Sequence, residues 1–454
     1  VGTDELEEAL RRLLTEAGAA GPDTAIAELR RLSGGASRET WSFDAVRGDD
    51  RAPLILQRLR PGAGGSTTAT PLGVEAALVR AAGGHGVAVP TVVAIDADGA
   101  TLGSPGMVVE RLEGETIARK LLRDDEWATA RERLGEQAGA ALAAIHAMPV
   151  AAVPGLRATD QLEQLRALLD GLGEPHPAFE LGLRWLDAHR PTAAATTIVH
   201  GDFRLGNLLV GPDGLRAVLD WELAHLGDPM EDLGWLCVRA WRFGSPLPAA
   251  GVATREQLAA AYEAAGGRPV DPDALRWWEL LGTLKWGVIC IMQAWGHLSG
   301  AARSVELATI GRRVCENEWD VLQLLPGGPL AADVDTGAVA PAALHGRPTA
   351  VELVEAVREW VDGDVRQGTD GRLAFHARVA VNALRMVERE LALGPEPEAA
   401  HRARLAELGC TDDADLAARI RAGELADRAE EVRSLVGQSV AVKVAVANPG
   451  WLTD

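Results

Sequence analysis

Residues 198–234 read IVHGDFRLGNLLVGPDGLRAVLDWELAHLGDPMEDLG, and the side chains in this stretch have the types and spacing for chemistry on phosphate. A short apolar run delivers His200, Gly201 and Asp202 into a loop, and Asn207 follows five residues after Asp202. Two strand-like runs, 207–210 and 215–219, flank a Pro-Asp-Gly turn and read as a hairpin. A hairpin brings the chain back to where it started, so Asn207 and Asp220 are expected side by side. An amide oxygen next to a carboxylate makes a hard oxygen site suited to Mg2+ bridging phosphate oxygens. Asp202, on the same loop, is then placed to accept the proton of an attacking hydroxyl. Phosphoryl transfer needs these parts, together with a cover over the phosphates.

The spacing Asp-x-x-x-x-Asn is also that of the protein-kinase catalytic loop. HGDFRLGNLLV followed by VLDWELAHLGDPMEDLGW resembles the aminoglycoside phosphotransferase superfamily of protein-kinase-like enzymes. Within it, the chain is most similar to the kinase-like domain fused to acyl-CoA dehydrogenases in animals and to its free-standing bacterial relatives. The resemblance spans residues 20–325 and is most specific across 198–235. It implies that Asp202 is the catalytic base, that Asn207 and Asp220 bind Mg2+, and that ATP lies between two lobes, with GTP left open. It also implies that Asp232 braces the loop and that His200 is a scaffold residue. Arg204 stands where protein kinases carry a lysine facing the transferred phosphate, and its planar donors suit charge on the transferring group.

The elements that must hold this loop begin with a small lobe. Leu6, Leu10, Leu13 and Leu14 line one face of an opening helix, and strand-like runs follow at 25–33, 39–46 and 53–60. Between the first two runs, Ser33, Gly34, Gly35, Ala36 and Ser37 suit a tight turn, which the resemblance makes the cover over the phosphates. The turn is not a full G-x-G-x-x-G, and the Walker pattern G-x-x-x-x-G-K-[ST] is absent, so this is not a P-loop enzyme. A helix at 74–82 and strands at 87–95 and 107–112 complete the lobe. Glu75 on that helix matches the glutamate that pairs with a strand lysine in kinases, but no lysine precedes Lys120. Arg58 is the candidate replacement, and alignment on the following Pro-Gly puts Gln57 there instead. Neighbouring strand residues point to opposite faces, so only one of the two enters the cleft. The run at 106–114 matches the inter-lobe hinge, where backbone groups at Glu110 and Leu112 would read the adenine edge.

From 112 to 325 the pattern is mostly helical, with segments at 230–242, 255–265, 273–298 and 301–324. A Pro/Gly/Ala-rich linker follows, and then Thr349-x-x-Glu352 forms a capping box before further helices at 372–392, 399–408 and 413–436. The expected fold class is α+β: a two-lobed protein-kinase-like fold with an appended all-α domain. The small mixed β lobe takes 1–110, the larger helical lobe 111–325, the linker 326–345 and a C-terminal helical domain of unknown function 346–454. Leu373, Phe375, Val379, Val387 and Leu391 form an apolar face of that domain that is expected to be buried.

The composition narrows the partners. The 454 residues carry 65 acidic against 45 basic side chains, which argues against nucleic acid. No apolar run is long enough to span a bilayer, and a cytoplasmic protein without membrane contact is expected. Four dispersed cysteines read as buried thiols, His146 and His225 as packing residues, and Trp277, Trp278, Trp286 and Trp295 as core. The remaining partner is a small-molecule hydroxyl, and a homodimer stays open. The acyl-CoA dehydrogenase fusions point to hydroxy acids or hydroxyacyl-CoAs, with Arg239, Arg242 and Arg303 as candidates to meet an anionic substrate. The alternatives are an aminoglycoside- or macrolide-type antibiotic kinase and a nucleotide-binding pseudokinase scaffold, the latter favoured by the missing lysine.

Overall fold

The computed structural model describes residues 3–21, 23–32, 38–60, 70–193, 195–332, 334 and 349–453. The turn Ser33–Ser37 and most of the linker lie outside the described residues. Helix α1 (Thr3–Glu16) precedes strands β1 (Ala25–Arg31), β2 (Arg38–Arg47) and β3 (Asp50–Leu59). Helix α2 (Leu72–Gly84) and strands β4 (Val92–Asp96) and β5 (Gly106–Glu110) follow. The five strands form one antiparallel sheet in the order β1-β2-β3-β5-β4. Alternation splits its two faces. Phe43, Leu54, Leu56 and Val108 bury against Leu6, Leu10, Leu13 and Leu14 of α1. Met107 and Val109 join Leu72, Ala76, Leu78 and Val79 of α2 in a larger core that continues through the helix Ala128–His146.

This register corrects the choice of arginine. Glu39 pairs with Arg58 across β2 and β3, so both share the α1 face, where Arg58 is 4% exposed and bonded to Glu39 and the Leu102 carbonyl. Gln57 and Arg38 lie on the opposite, α2-facing side. Arg58 therefore points to the face of the sheet away from α2 and Glu75.

Two short strand pairs follow. Strands β6 (Thr197–Val199) and β9 (His225–Gly227) pair, and β7 (Leu208–Gly211) and β8 (Gly214–Val218) form the expected hairpin. The helix Met230–Cys237 is shorter than its pattern and passes into a 3-10 turn at Arg239–Trp241.

Residues 1–159 and 192–279 form one compact unit, and 160–191 with 280–454 form a second. The second unit is helical. The expected helix 301–324 is two, Val305–Gly311 and Val314–Leu324. The expected helix 413–436 is also two, Asp413–Ala422 and Ala429–Ala447, because Gly423 ends the first in a left-handed cap at φ +80°. Polar ties hold the C-terminal helices to their neighbours in this unit. Arg421 grips Glu180 at 2.5 and 3.2 Å, Arg433 reaches the Leu322 carbonyl at 2.9 Å, and Asn448 bonds Glu316 at 3.1 Å.

Two apolar expectations fail here. On the helix Gly371–Leu393, Ala377, Val381 and Met386 are buried, whereas Leu373, Phe375, Val387 and Leu391 are exposed. The face that meets its neighbours is that of Ala377, Val381 and Met386 instead. Trp295 is exposed too.

Candidate active site

The reactive loop has little secondary structure of its own, and one buried carboxylate shapes it. Asp232, on the helix Met230–Cys237, accepts the backbone N–H of His200 at 2.7 Å and of Gly201 at 2.9 Å. The His146 Nε2 sits 3.1 Å from the same carboxylate, and His146 Nδ1 meets the Tyr262 hydroxyl at 2.9 Å. His200 in turn places its Nε2 3.0 Å from the Leu219 carbonyl, tying the loop to the end of β8. These donors hold the Asp232 pKa below the usual carboxylate value, against the effect of burial. Gly201 is required at its position: φ is +77°, and a Cβ would lie 2.4 Å from the Leu223 carbonyl oxygen.

Asp202 stands on this frame with its carboxylate gripped from three directions. Oδ1 accepts Trp235 Nε1 at 2.9 Å and Arg204 Nε at 3.1 Å, and Oδ2 accepts Asn207 Nδ2 at 2.7 Å. Arg204 Nε also reaches Oδ2 at 3.3 Å, and its guanidinium lies over Trp241, 5.1 Å from the ring centroid. Arg204 is thus a bonded neighbour of the carboxylate two residues away.

The hairpin does bring Asn207 to Asp220, since the Leu219 N–H donates to the Asn207 carbonyl at 2.8 Å. With its amide nitrogen held by Asp202, Asn207 keeps its side-chain oxygen as the remaining acceptor. Asp220 adopts φ +66°, a strained conformation for a residue with a side chain, of the kind found at functional sites. Its side chain keeps an exposed face while protein surrounds it elsewhere. That enclosure, with the nearby carboxylates of Glu222 and Asp202, pushes its pKa up to about 7. A site that crowds carboxylates in this way fits a divalent cation. Among the described residues no three His, Cys, Asp or Glu side chains converge as a metal cage. The donors present are instead an amide oxygen and a carboxylate, which suits Mg2+ completed by phosphate and water.

Arg38, the first residue of β2, takes the place foreseen for a strand cation. Its guanidinium meets both Glu75 oxygens, at 2.9 and 2.5 Å, and its Nε lies 3.3 Å from Glu222. Burial raises the Glu75 pKa and the Arg38 charge offsets part of the rise. The chain Glu75–Arg38–Glu222 links α2 to the Asp220 strand end. At the hinge, the Glu110 N–H donates to the Thr91 carbonyl and the Arg111 N–H to Pro53. The Leu112 backbone has no partner among the described residues. Of the candidates for an anionic substrate, Arg242 is committed to Glu279 and the Cys237 carbonyl, and Arg303 is exposed in the second unit. Arg239 is half-buried.

The sequence profile of the phosphotransferase enzyme family matches residues 28–278, more than half of the chain and the whole of the site just described. The chain belongs to this family. Membership places it among the phosphotransferase enzymes. Residues 367–451 match a second profile, a domain of unknown function. Acyl-CoA dehydrogenase family member 10 of Mus musculus is 30% identical over 259 residues, which is 54% of this chain and 23% of that one. The probable acyl-CoA dehydrogenase IBR3 of Arabidopsis thaliana is 29% identical, over 45% of this chain and 27% of its own length. The chain therefore spans about a quarter of these curated relatives. A crystal structure of a putative aminoglycoside phosphotransferase from Ralstonia eutropha superposes with a TM-score of 0.54 at 25% identity, covering 69% of this chain and 97% of that one.

Three residues of this phosphotransferase site escaped the sequence reading. Glu222 was within sight, two residues after Asp220 in Asp-Trp-Glu. Arg38 opens the strand after the glycine turn, where a guanidinium is long enough to do from β2 what a lysine does from β3. Trp235 carried no signal beyond its place in Asp-Leu-Gly-Trp, since nothing in a pattern says where an indole N–H will point.

Proposed function

We propose that the protein transfers the γ-phosphate of ATP to the hydroxyl of an acyl-type small molecule, a hydroxy acid or a hydroxyacyl-CoA. The observation that carries this reading is the bonding of Asp202. Each carboxylate oxygen has two good acceptor positions. Trp235 and Arg204 fill those of Oδ1, and Oδ2 holds Asn207 at 2.7 Å and only the longer arm of the shared Arg204 contact, at 3.3 Å, which is the position an acceptor hydroxyl would take. Asp202 holds that hydroxyl in line with the γ-phosphate and receives its proton as the new P–O bond forms and ADP leaves. Mg2+, held by the Asn207 side-chain oxygen and the Asp220 carboxylate, would neutralise charge on the phosphate oxygens.

Arg204 sets a fixed positive charge beside the attacking oxygen and the transferring group. Arg38, held by Glu75, lends a second cation to the phosphate side of the cleft, and the Leu112 peptide offers the free backbone groups for the adenine edge. The surroundings of Asp202 favour the substrate class. Trp235 and Trp241 stand next to it with ring centroids 5.2 Å apart, and the charge among them is that of Arg204. The Arg204 cation beside Asp202 favours an anionic acyl acceptor over a polycationic antibiotic, with the Asp220 carboxylate reserved for the metal and Glu222 for Arg38. The fusion of relatives to acyl-CoA dehydrogenases agrees with that class.

The test is Mg2+-dependent ATP turnover against hydroxyacyl-CoAs, free hydroxy acids and aminoglycosides, with Asp220→Ala as the blank. Stimulation by an acyl compound that Asp220→Ala abolishes is the expected result. Stimulation by an aminoglycoside alone would replace the substrate class. Tight ATP binding with no stimulation by any compound would bring the scaffold reading forward.

A further inference from the structure

The helix Met230–Cys237 touches the reactive loop twice. Asp232 accepts the backbone N–H groups of His200 and Gly201, which fixes the main chain leading into Asp202. Trp235 lies one helical turn further on, where residues three apart share a face. Its indole Nε1 donates to Asp202 Oδ1 at 2.9 Å. One rigid element therefore holds both the backbone and the carboxylate of the residue that meets the acceptor.

The other partners of this carboxylate do not duplicate the contact. Arg204 Nε is shared between the two oxygens, at 3.1 and 3.3 Å, so it does not tell them apart. Asn207 takes Oδ2, at 2.7 Å. Among the described residues, Trp235 is the donor that takes Oδ1 alone. An indole N–H carries no charge and accepts nothing, so it holds an oxygen in place without competing for the proton that the carboxylate is to receive.

Trp235 is itself tightly held. It is 3% exposed, and its ring lies beside Trp241, the ring under the Arg204 guanidinium. Its neighbour Gly234 allows the helix to approach the helix Pro272–Leu298. A Cβ at position 234 would lie 2.6 Å from Trp278 Cβ and 2.7 Å from the Trp278 backbone carbon. A donor on a ring packed in this way is aimed before any substrate arrives, which is what an in-line displacement needs.

We propose that Trp235 is a positioning residue for phosphoryl transfer, its indole N–H holding Oδ1 so that Oδ2 is the oxygen turned toward the acceptor hydroxyl. The inference rests on the reading of Asp202 as the group that receives the acceptor proton. Without the indole donor, the carboxylate is free to rotate about its last bond on the Asn207 and Arg204 contacts, and the hydroxyl loses its alignment with the γ-phosphate. Trp235 has no part in holding the nucleotide, so the loss should fall on kcat and leave KM for ATP alone.

The test compares Trp235→Phe with Trp235→His in the full chain. The five-membered ring of histidine places Nε2 where the indole has Nε1, but leaves the space of the six-membered ring unfilled. Phenylalanine fills more of that space and has no donor. A packing role therefore favours Trp235→Phe, and a donor role favours Trp235→His. The assay is Mg2+-dependent ATP hydrolysis with water as the acceptor, at about pH 8, where imidazole is neutral. Trp235→Phe is expected to lower kcat about tenfold or more, with KM for ATP within about twofold of wild type, and Trp235→His to regain at least about threefold of that loss. Wild-type kcat in Trp235→Phe, or turnover in Trp235→Phe equal to or above that in Trp235→His, would overturn the proposal. Asp202→Ala in the same assay separates the two readings. Turnover kept in Asp202→Ala removes the role of Asp202 itself, whereas turnover lost there but kept in Trp235→Phe removes only that of Trp235. Proton–nitrogen correlation spectra of the indole groups test the contact without turnover. The signal missing from Trp235→Phe should move in Asp202→Ala, and an unmoved signal would also overturn the proposal.

Discussion

Asp232 in the first unit and Glu318 in the second are both shut away from solvent, at 0% and 2% exposure, yet they do different work. Asp232 takes two backbone N–H groups, from His200 and Gly201, along with the His146 ring. Glu318 takes only side chains, His176 and Lys443, and the Lys443 side chain is itself 44% exposed. The first carboxylate therefore fixes the main chain of a loop that has no ladder of its own, and with it the position of Asp202. The second fixes how helices lie against one another, through partners that can rearrange. A buried charge bonded to peptide groups sets reactive atoms in place, and one bonded to side chains sets packing.

That contrast can be broken by experiment. Asp232→Ala leaves two buried peptide N–H groups and a buried imidazole without their acceptor. It should cost about 3–5 kcal/mol in chemical denaturation and abolish turnover even where the chain stays folded. Arg38→Lys tests a buried pair of the side-chain kind placed beside the reaction. It keeps the charge but loses the two-point grip on Glu75, and should lower kcat/KM for ATP about tenfold, or about 1.4 kcal/mol. Glu318→Gln keeps a hydrogen-bonding group for His176, and solvent covers the Lys443 ammonium. About 2 to 3 kcal/mol should be lost, as the depressed Glu318 pKa requires, with turnover unchanged within about twofold. Equal losses of turnover in Asp232→Ala and Glu318→Gln would end the distinction.

The smallest effect is in the pH dependence. The Lys443 charge and the His176 bond outweigh burial and hold the Glu318 pKa at about 2, below the ordinary carboxylate value. A depressed carboxylate contributes stability above its unfolded pKa and loses it as pH falls toward the folded one. Wild-type Tm should thus drop more steeply from about pH 5 to about pH 2 than that of Glu318→Gln. Parallel curves would remove Glu318 from the account.

How far the site could be read from the sequence depended on how far apart its parts lie along the chain. Asp202, Asn207 and Asp220 belong to one hairpin-linked stretch, and a turn of known type brings its ends together whatever the rest of the fold does. The same holds for Glu75, whose helix follows directly from its apolar spacing. Gln57 and Arg58 were not separable before the β2–β3 register was known, because one step along a strand exchanges the faces, and Arg38 on the neighbouring strand was not weighed. Trp235 meets Asp202 across 33 positions, a contact that only side-chain direction decides. On the helix Gly371–Leu393 apolar residues occupy more than one face, so periodicity alone could not say which face its neighbours cover. Arg242 was read as free because its partner, Glu279, lies on another helix.

The central claim is that the loop built on Asp232 presents Asp202 to an acceptor hydroxyl opposite Mg2+-bound ATP. Measuring ATP affinity and acceptor-dependent phosphoryl transfer side by side in Asp202→Ala tests it most directly. The account requires ATP affinity within about threefold of wild type, with transfer reduced by about 10^3 or more, or at least about 4 kcal/mol of barrier. Wild-type transfer in Asp202→Ala would contradict it.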